Sequence, residues 1–214
     1  MEKIMTTNVL NPYLEPLPLV AILRGVQPTE VVAIAETIRE AGFRIIEVPL
    51  NSPEPCASIQ ALAEVMGDDV LVGAGTVLTV EQVRAVAEAG GKVIISPNTD
   101  VDVIRETKRL GLISMPGFCT PTEALAAADA GADALKLFPA TALGSQGFKV
   151  ASAVLPDLPV LAVGGVSPAN MPDYLAAGFS GFGLGSGLYR AGMTVAQVRD
   201  NAVAYASGYR ALSA

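Results

Sequence analysis

Histidine is absent from this chain, and its absence removes several chemistries together. Ser-His-Asp and Cys-His nucleophilic systems, imidazole general bases and HExxH-type zinc sites all require it. Cysteine is scarce: Cys56 and Cys119 stand far apart in unrelated contexts. No disulfide framework or zinc cluster follows, and a reducing compartment is the natural expectation. There is no basic run, and the net charge is −7, which argues against nucleic-acid or anionic-membrane partners while leaving an anionic small molecule possible. No apolar run approaches the ~20 residues that span a bilayer. Residues 1–18 lack the basic start, apolar stretch and cleavage site of a signal peptide. The chain reads as soluble and cytoplasmic.

What is present is a regular alternation. Short apolar runs at 19–24, 44–50, 70–77, 93–97, 112–117, 134–139, 160–165 and 181–185 have the two-sided hydrophobicity of parallel strands covered by helices. Between and after them lie Ala-rich amphipathic stretches at 29–41, 55–66, 80–89, 100–110, 121–130, 145–155, 168–177 and 194–209. Several end in Ala-Gly, as at Ala41-Gly42 and Ala177-Gly178, where glycine supplies a left-handed cap. Eight strand–helix units without a linker predict an α/β fold, a (β/α)8 TIM barrel occupying residues 1–214 as one domain. Residues 1–18 form a preceding arm or helix that can close the barrel bottom. A doubly wound sheet is the alternative, but no GxGxxG opens the chain.

Active sites of such barrels lie at the C-terminal ends of the strands, and charged residues in apolar strands stand out there. Lys136 sits inside Ala134-Leu135-Lys136-Leu137-Phe138-Pro139. Burial of its ammonium lowers the pKa and yields the neutral amine that attacks carbonyls. The blander reading is a strand-end lysine whose tip escapes to solvent. Glu47, in Ile45-Ile46-Glu47-Val48-Pro49, shares a face with Ile45 and has the chemistry of a proton shuttle. The two could instead form a buried pair that only stabilises. Arg24 ends the first strand and can bind a carboxylate or phosphate, tune the lysine, or pair with Glu47. Thr76 offers a hydroxyl at the mouth. Gly164-Gly165 and Gly183-Leu184-Gly185-Ser186 fall after the seventh and eighth strands, where these barrels commonly bind phosphate. Ser186-Gly187-Leu188-Tyr189 can start a short helix whose N-terminus favours an anion.

These residues, with Val20-Ala21-Ile22-Leu23-Arg24-Gly25, Glu47-Val48-Pro49-Leu50-Asn51-Ser52-Pro53, Gly73-Ala74-Gly75-Thr76-Val77, Ile95-Ser96-Pro97-Asn98, Pro116-Gly117 and Ala162-Val163-Gly164-Gly165-Val166, resemble the class I aldolases that cleave 2-keto-3-deoxy-6-phosphosugar acids, the KDPG/KHG family. The resemblance runs from Leu19 to about Tyr209. It implies that Lys136 forms a Schiff base, that Glu47 shuttles protons, and that Arg24 and Thr76 orient the substrate. It further implies that Gly165, Gly185 and Ser186 hold the phosphate while Pro97 and Phe138 wall a pyruvate pocket. No metal or organic cofactor is implied, the partner is a small phosphorylated keto acid, and the assembly is a homotrimer. Asn51 stands where gluconate-type members carry an arginine, so the chain looks like the galactonate branch, and Arg24 is left with more of the carboxylate recognition.

Other readings stay open at this point. A gluconate-type or keto-hydroxyglutarate aldolase would use the same chemistry on another substrate. A phosphosugar isomerase or epimerase would use Glu47 as base and Lys136 as anchor. A non-catalytic phosphosugar sensor would turn nothing over. A metal-dependent aldolase is disfavoured by the lack of histidine and of an acidic cluster at the strand ends.

Overall fold

A strand whose two faces are both apolar must be covered on both sides, and the chain satisfies this by wrapping its strands into a cylinder inside a ring of helices. The computed structural model describes residues 9–212. Its strands are β1 (Leu19–Ile22), β2 (Ile45–Pro49), β3 (Leu71–Gly75), β4 (Val93–Ile95), β5 (Ile113–Met115), β6 (Gly117–Phe118), β7 (Leu135–Leu137), β8 (Val160–Val163) and β9 (Gly181–Leu184). Every pairing is parallel, in the order β5-β4-β3-β2-β1-β9-β8-β7-β6.

The two ends of that order are consecutive in the chain. Pro116 alone separates β5 from β6, where one strand at 112–117 is expected from sequence. Proline has no N–H for the ladder, so the strand is interrupted there and resumes as far as Phe118. Hydrogen bonds continue on either side of the break: Ser96 N donates to Met115 O (3.3 Å) and Lys136 N donates to Pro116 O (2.9 Å). The sheet therefore closes through one split strand, giving the eight rungs of a TIM barrel.

Side-chain alternation divides the core in two. Val20, Ile22, Ile45, Leu71, Val93, Ile95, Met115, Ala134, Leu161 and Val163 form the inner cluster. Ala21, Ile46, Val48, Val72, Ile94, Leu135, Leu137, Ala162 and Phe182 face outward onto the helices. These helices are α2 (Val31–Glu40), α3 (Pro55–Met66), α4 (Val80–Glu88), α5 (Val101–Arg109), α6 (Pro121–Asp129), α7 (Ala140–Ala151), α8 (Met171–Ala176) and α9 (Val195–Arg210). Thr120 and Thr194 begin α6 and α9 with capping boxes closed by Glu123 and Gln197, which satisfy the otherwise orphaned first amides. The Ala-Gly ends hold glycine at positive φ, Gly42 at 113° and Gly178 at 101°.

Two details differ from the sequence reading. Helix α7 starts at Ala140 rather than near residue 145, with a non-helical break at Gly144 (φ 66°, ψ 174°). Helix α8 is shorter than 168–177. Of the preceding arm, residues 1–8 lie outside the described residues. The short helix α1 (Asn11–Leu14) is described. Its Leu14, with the adjacent Leu10, joins the inner cluster beside the first residues of β2, β3 and β4, so this segment plugs the N-terminal end of the barrel.

Candidate active site

The alternation that fills the barrel also aims two charged residues into it. Ile45 points inward and Ile46 and Val48 outward, so Glu47 points inward. Ala134 points inward and Leu135 and Leu137 outward, so Lys136 does the same. Glu47 is 1% exposed and Lys136 6%. Both line a cavity of about 10 Å³ that they share with Ile22, Met115 and Val163.

Burial controls the electrostatics of this pair. Desolvation pushes the Glu47 carboxyl up to about 7, against the pull of the Lys136 and Arg24 cations. Desolvation likewise pushes the Lys136 ammonium down; Glu47 opposes this and Arg24 adds to it. Both shifts favour uncharged forms. Among the described residues Glu47 Oε2 is buried without a hydrogen-bond partner, an arrangement that costs stability unless it serves something. Lys136 Nζ lies 4.9 Å from the centroid of the Phe138 ring.

The rim of β1 to β3 positions Arg24. Gly75 ends β3 beneath the Glu47 carboxylate, and a Cβ there would overlap all three of its carboxyl atoms. Thr76 follows at φ 57°, a left-handed conformation that is strained for a β-branched residue. It presents Oγ1 to Arg24 Nη2 at 3.4 Å, while Arg24 Nη1 donates to Asn51 Oδ1. The arginine is thus held by two neutral side chains. Among the described residues, no ion pair joins it to Glu47, the pairing weighed from sequence.

Above the pair opens a cleft of about 500 Å³. Ile22, Val163 and Gly183 line both cavities, so the lysine lies beneath the cleft floor. Arg24, Phe138, Gly165, Gly185 and Ser186 line the cleft. Gly165 adopts φ 77°, and a Cβ there would come 2.6 Å from Thr141 Cγ2. After β9, the amides of Leu188 and Tyr189 both donate to Gly185 O, at 2.9 and 3.0 Å. This makes a single hydrogen-bonded turn in place of the short helix expected at 186–189. Tyr189 OH donates to Glu30 Oε1 at 2.9 Å, tying this turn to the start of α2.

Most of the sequence-picked residues therefore converge on one end of the barrel. Pro97 does not line either cavity; its carbonyl packs against Gly117. Sequence reasoning missed Tyr189, Arg190 and Ala191 as cleft residues, although they directly follow the Ser186 turn. It also saw Asn51 only as a departure from a pattern, not as a partner of Arg24. Among the described residues, no group of three or more His, Cys, Asp or Glu could hold a metal ion, and no helix is long and apolar enough to cross a membrane.

A family model described as KDPG and KHG aldolase matches residues 10–202. The chain belongs to the KDPG and KHG aldolase family. This aldolase-family chain is 50% identical over 196 residues to a probable 2-dehydro-3-deoxy-6-phosphogalactonate aldolase of Rhizobium meliloti (strain 1021), covering 91% of this chain and 92% of the relative. It is 48% identical over 195 residues to the 2-dehydro-3-deoxy-6-phosphogalactonate aldolase of Escherichia coli (strain K12), covering 91% and 95%. A solved structure described as native KDPGal superposes on this family member with a TM-score of 0.90 at 47% identity, covering 92% of this chain and 97% of that one.

Proposed function

We propose that the chain is a class I aldolase that cleaves 2-dehydro-3-deoxy-6-phospho-D-galactonate to pyruvate and D-glyceraldehyde 3-phosphate. The observation that carries this reading is the shared cavity of Lys136 and Glu47, with the lysine pushed toward its neutral form and the carboxyl pushed up to about 7.

The steps follow from those states. Neutral Lys136 Nζ adds to the C2 carbonyl, and protonated Glu47 gives its proton to the carbinolamine hydroxyl, which leaves as water to form a protonated imine and a Glu47 carboxylate. The imine withdraws electrons from C3. Glu47, as carboxylate, accepts the C4 hydroxyl proton; the C3–C4 bond breaks, its electron pair forms an enamine, and the aldehyde leaves. Glu47, now protonated, returns its proton to C3 of the enamine, and water hydrolyses the imine to release pyruvate and the amine. A carboxyl poised near 7 can both accept and return a proton at neutral pH. Arg24 and Thr76 orient the substrate carboxylate, Phe138 walls the pyruvate moiety, and Gly165, Gly185 and Ser186 receive the phosphate.

Both relatives named above support galactonate over gluconate stereochemistry, as does Asn51 at the position where the resemblance gives gluconate-type members an arginine. The enzyme works in the cytoplasm without a metal or organic cofactor and as a homotrimer, a reading that rests on the family resemblance; light scattering should give three times the mass of the single chain. Mass spectrometry after pyruvate and borohydride treatment tests the chemistry. A reduced pyruvyl adduct on Lys136 is expected; its absence from folded protein would favour the isomerase alternative. Comparing the C4-epimeric substrates then tests the stereochemistry, and equal rates would favour a bifunctional aldolase.

A further inference from the structure

Two cations line the large cleft, Arg24 and Arg190, and none of its lining residues is a carboxylate. In a chain of net charge −7, that combination marks a pocket for an anion with two charged ends. The arginines are held differently. Arg24 is near enough to the Lys136–Glu47 pair to bias both titrations, and both of its Nη groups are engaged, by Asn51 and Thr76. Arg190 is anchored through Nε alone, which donates to the Ser186 carbonyl at 2.8 Å. Among the described residues its two Nη groups have no hydrogen-bond or ion-pair partner.

That anchor fixes Arg190 on the Gly185–Ser186–Gly187 turn. Among the described residues, the amides of Ser186 and Gly187 donate no hydrogen bond within the chain. The turn itself is rigidly seated: Asn201 Nδ2 donates to Leu188 O at 3.0 Å, and the Tyr189 hydroxyl is fastened to Glu30. A guanidinium tethered by Nε keeps two parallel N–H donors free, the geometry that matches two oxygens of a phosphate.

We infer that Arg190 binds the terminal phosphate of the substrate through its free Nη groups, as a residue that distinguishes phosphorylated from unphosphorylated aldehydes. This rests on the aldolase reading. Arg24, near the Lys136–Glu47 pair, serves the carboxylate end, and Arg190, anchored on the Ser186 carbonyl, serves the phosphate end.

The experiment measures aldol condensation of pyruvate with D-glyceraldehyde 3-phosphate and with unphosphorylated D-glyceraldehyde, for wild type, Arg190→Gln and Arg190→Lys. Arg190→Gln should raise KM for the phosphorylated aldehyde ~10- to 100-fold, while kcat/KM for glyceraldehyde falls less than threefold. Arg190→Lys keeps a charge without the tether and should recover part of the lost KM. Equal losses for the two aldehydes, or equal losses in the Gln and Lys variants, would overturn the inference and leave Arg190 a brace for the turn. An unchanged KM would overturn it as well. The borohydride-trapped pyruvate adduct on Lys136 in each variant shows that the site is folded. Its absence from wild type would instead fail the aldolase reading, so the two failures are distinguishable.

Discussion

The carboxylate of Glu47 rests on the backbone of Gly75. Glu47 is in register with Gly73, yet its side chain reaches up the neighbouring strand to the position where a Gly75 side chain would stand. The last residue of β3 is therefore a glycine that makes room for a carboxylate belonging to β2. The vacancy of one side chain sets the height of another.

Gly75→Ala should therefore displace Glu47 before it disturbs anything else. We expect kcat to fall on the order of 100-fold, the scale of a misplaced catalytic group, with a loss of about 1–3 kcal/mol from overpacking. Steady-state kinetics beside a thermal melt would separate the two, and undiminished kcat would remove Glu47 from the proton-transfer role.

Glu47→Gln separates function from stability along the pH axis. The folded carboxyl titrates at about 7 against an ordinary value of 4.5, so the folded state binds the proton more tightly than the unfolded state. The associated stability is fully present below about pH 4.5 and is lost as pH rises through 7, by ~3 kcal/mol at most. The glutamine cannot ionise and escapes that loss. The variant should be more stable than wild type at pH 8 and nearly equal to it at pH 4.5, while turnover collapses. Thermal melts at the two pH values check this; a constant difference would mean that Glu47 is not titrating in that window.

Lys136→Arg should abolish turnover, because a guanidinium stays charged and forms no imine. Lys136→Met is its companion, since it is uncharged and apolar in a small buried cavity; it should be equally inactive and at least as stable. Residual activity in either variant, after correction for background, would remove Lys136 as the nucleophile.

Ser186→Asp places a carboxylate in the cleft beside the turn. KM for the phosphorylated substrate should rise ~10-fold or more, with a much smaller effect on Schiff-base formation from pyruvate. Equal effects on both would place the phosphate elsewhere.

Much of the barrel was legible in the chain because its signals are local. Apolar runs, amphipathic helices and Ala-Gly ends each depend on a few consecutive residues. Two-residue alternation was enough to put Glu47 on the face of Ile45, whereas the inward face of Lys136 is read from the packing of Ala134, Leu135 and Leu137 around it. The run at 112–117 shows where this stops. Pro116 does break the ladder, but only the return of β6 beside β7 shows that the break is where the barrel closes.

What the sequence by itself determined was the set of chemical groups and the end of the barrel they face: an amine and a carboxyl in apolar strands, an arginine at a strand end, and glycines after the last two strands. Only the tertiary structure decided their relations. It put Lys136 and Glu47, which are far apart in the chain, into one cavity and shifted both toward neutrality by shared burial. It gave Arg24 to Asn51 and Thr76 rather than to Glu47, left Pro97 outside the cavities, and brought Arg190 into the cleft. Side-chain contacts across a closed sheet depend on register and on the space left by neighbouring glycines. Those quantities exist only when distant segments are brought together, so no local pattern could carry them.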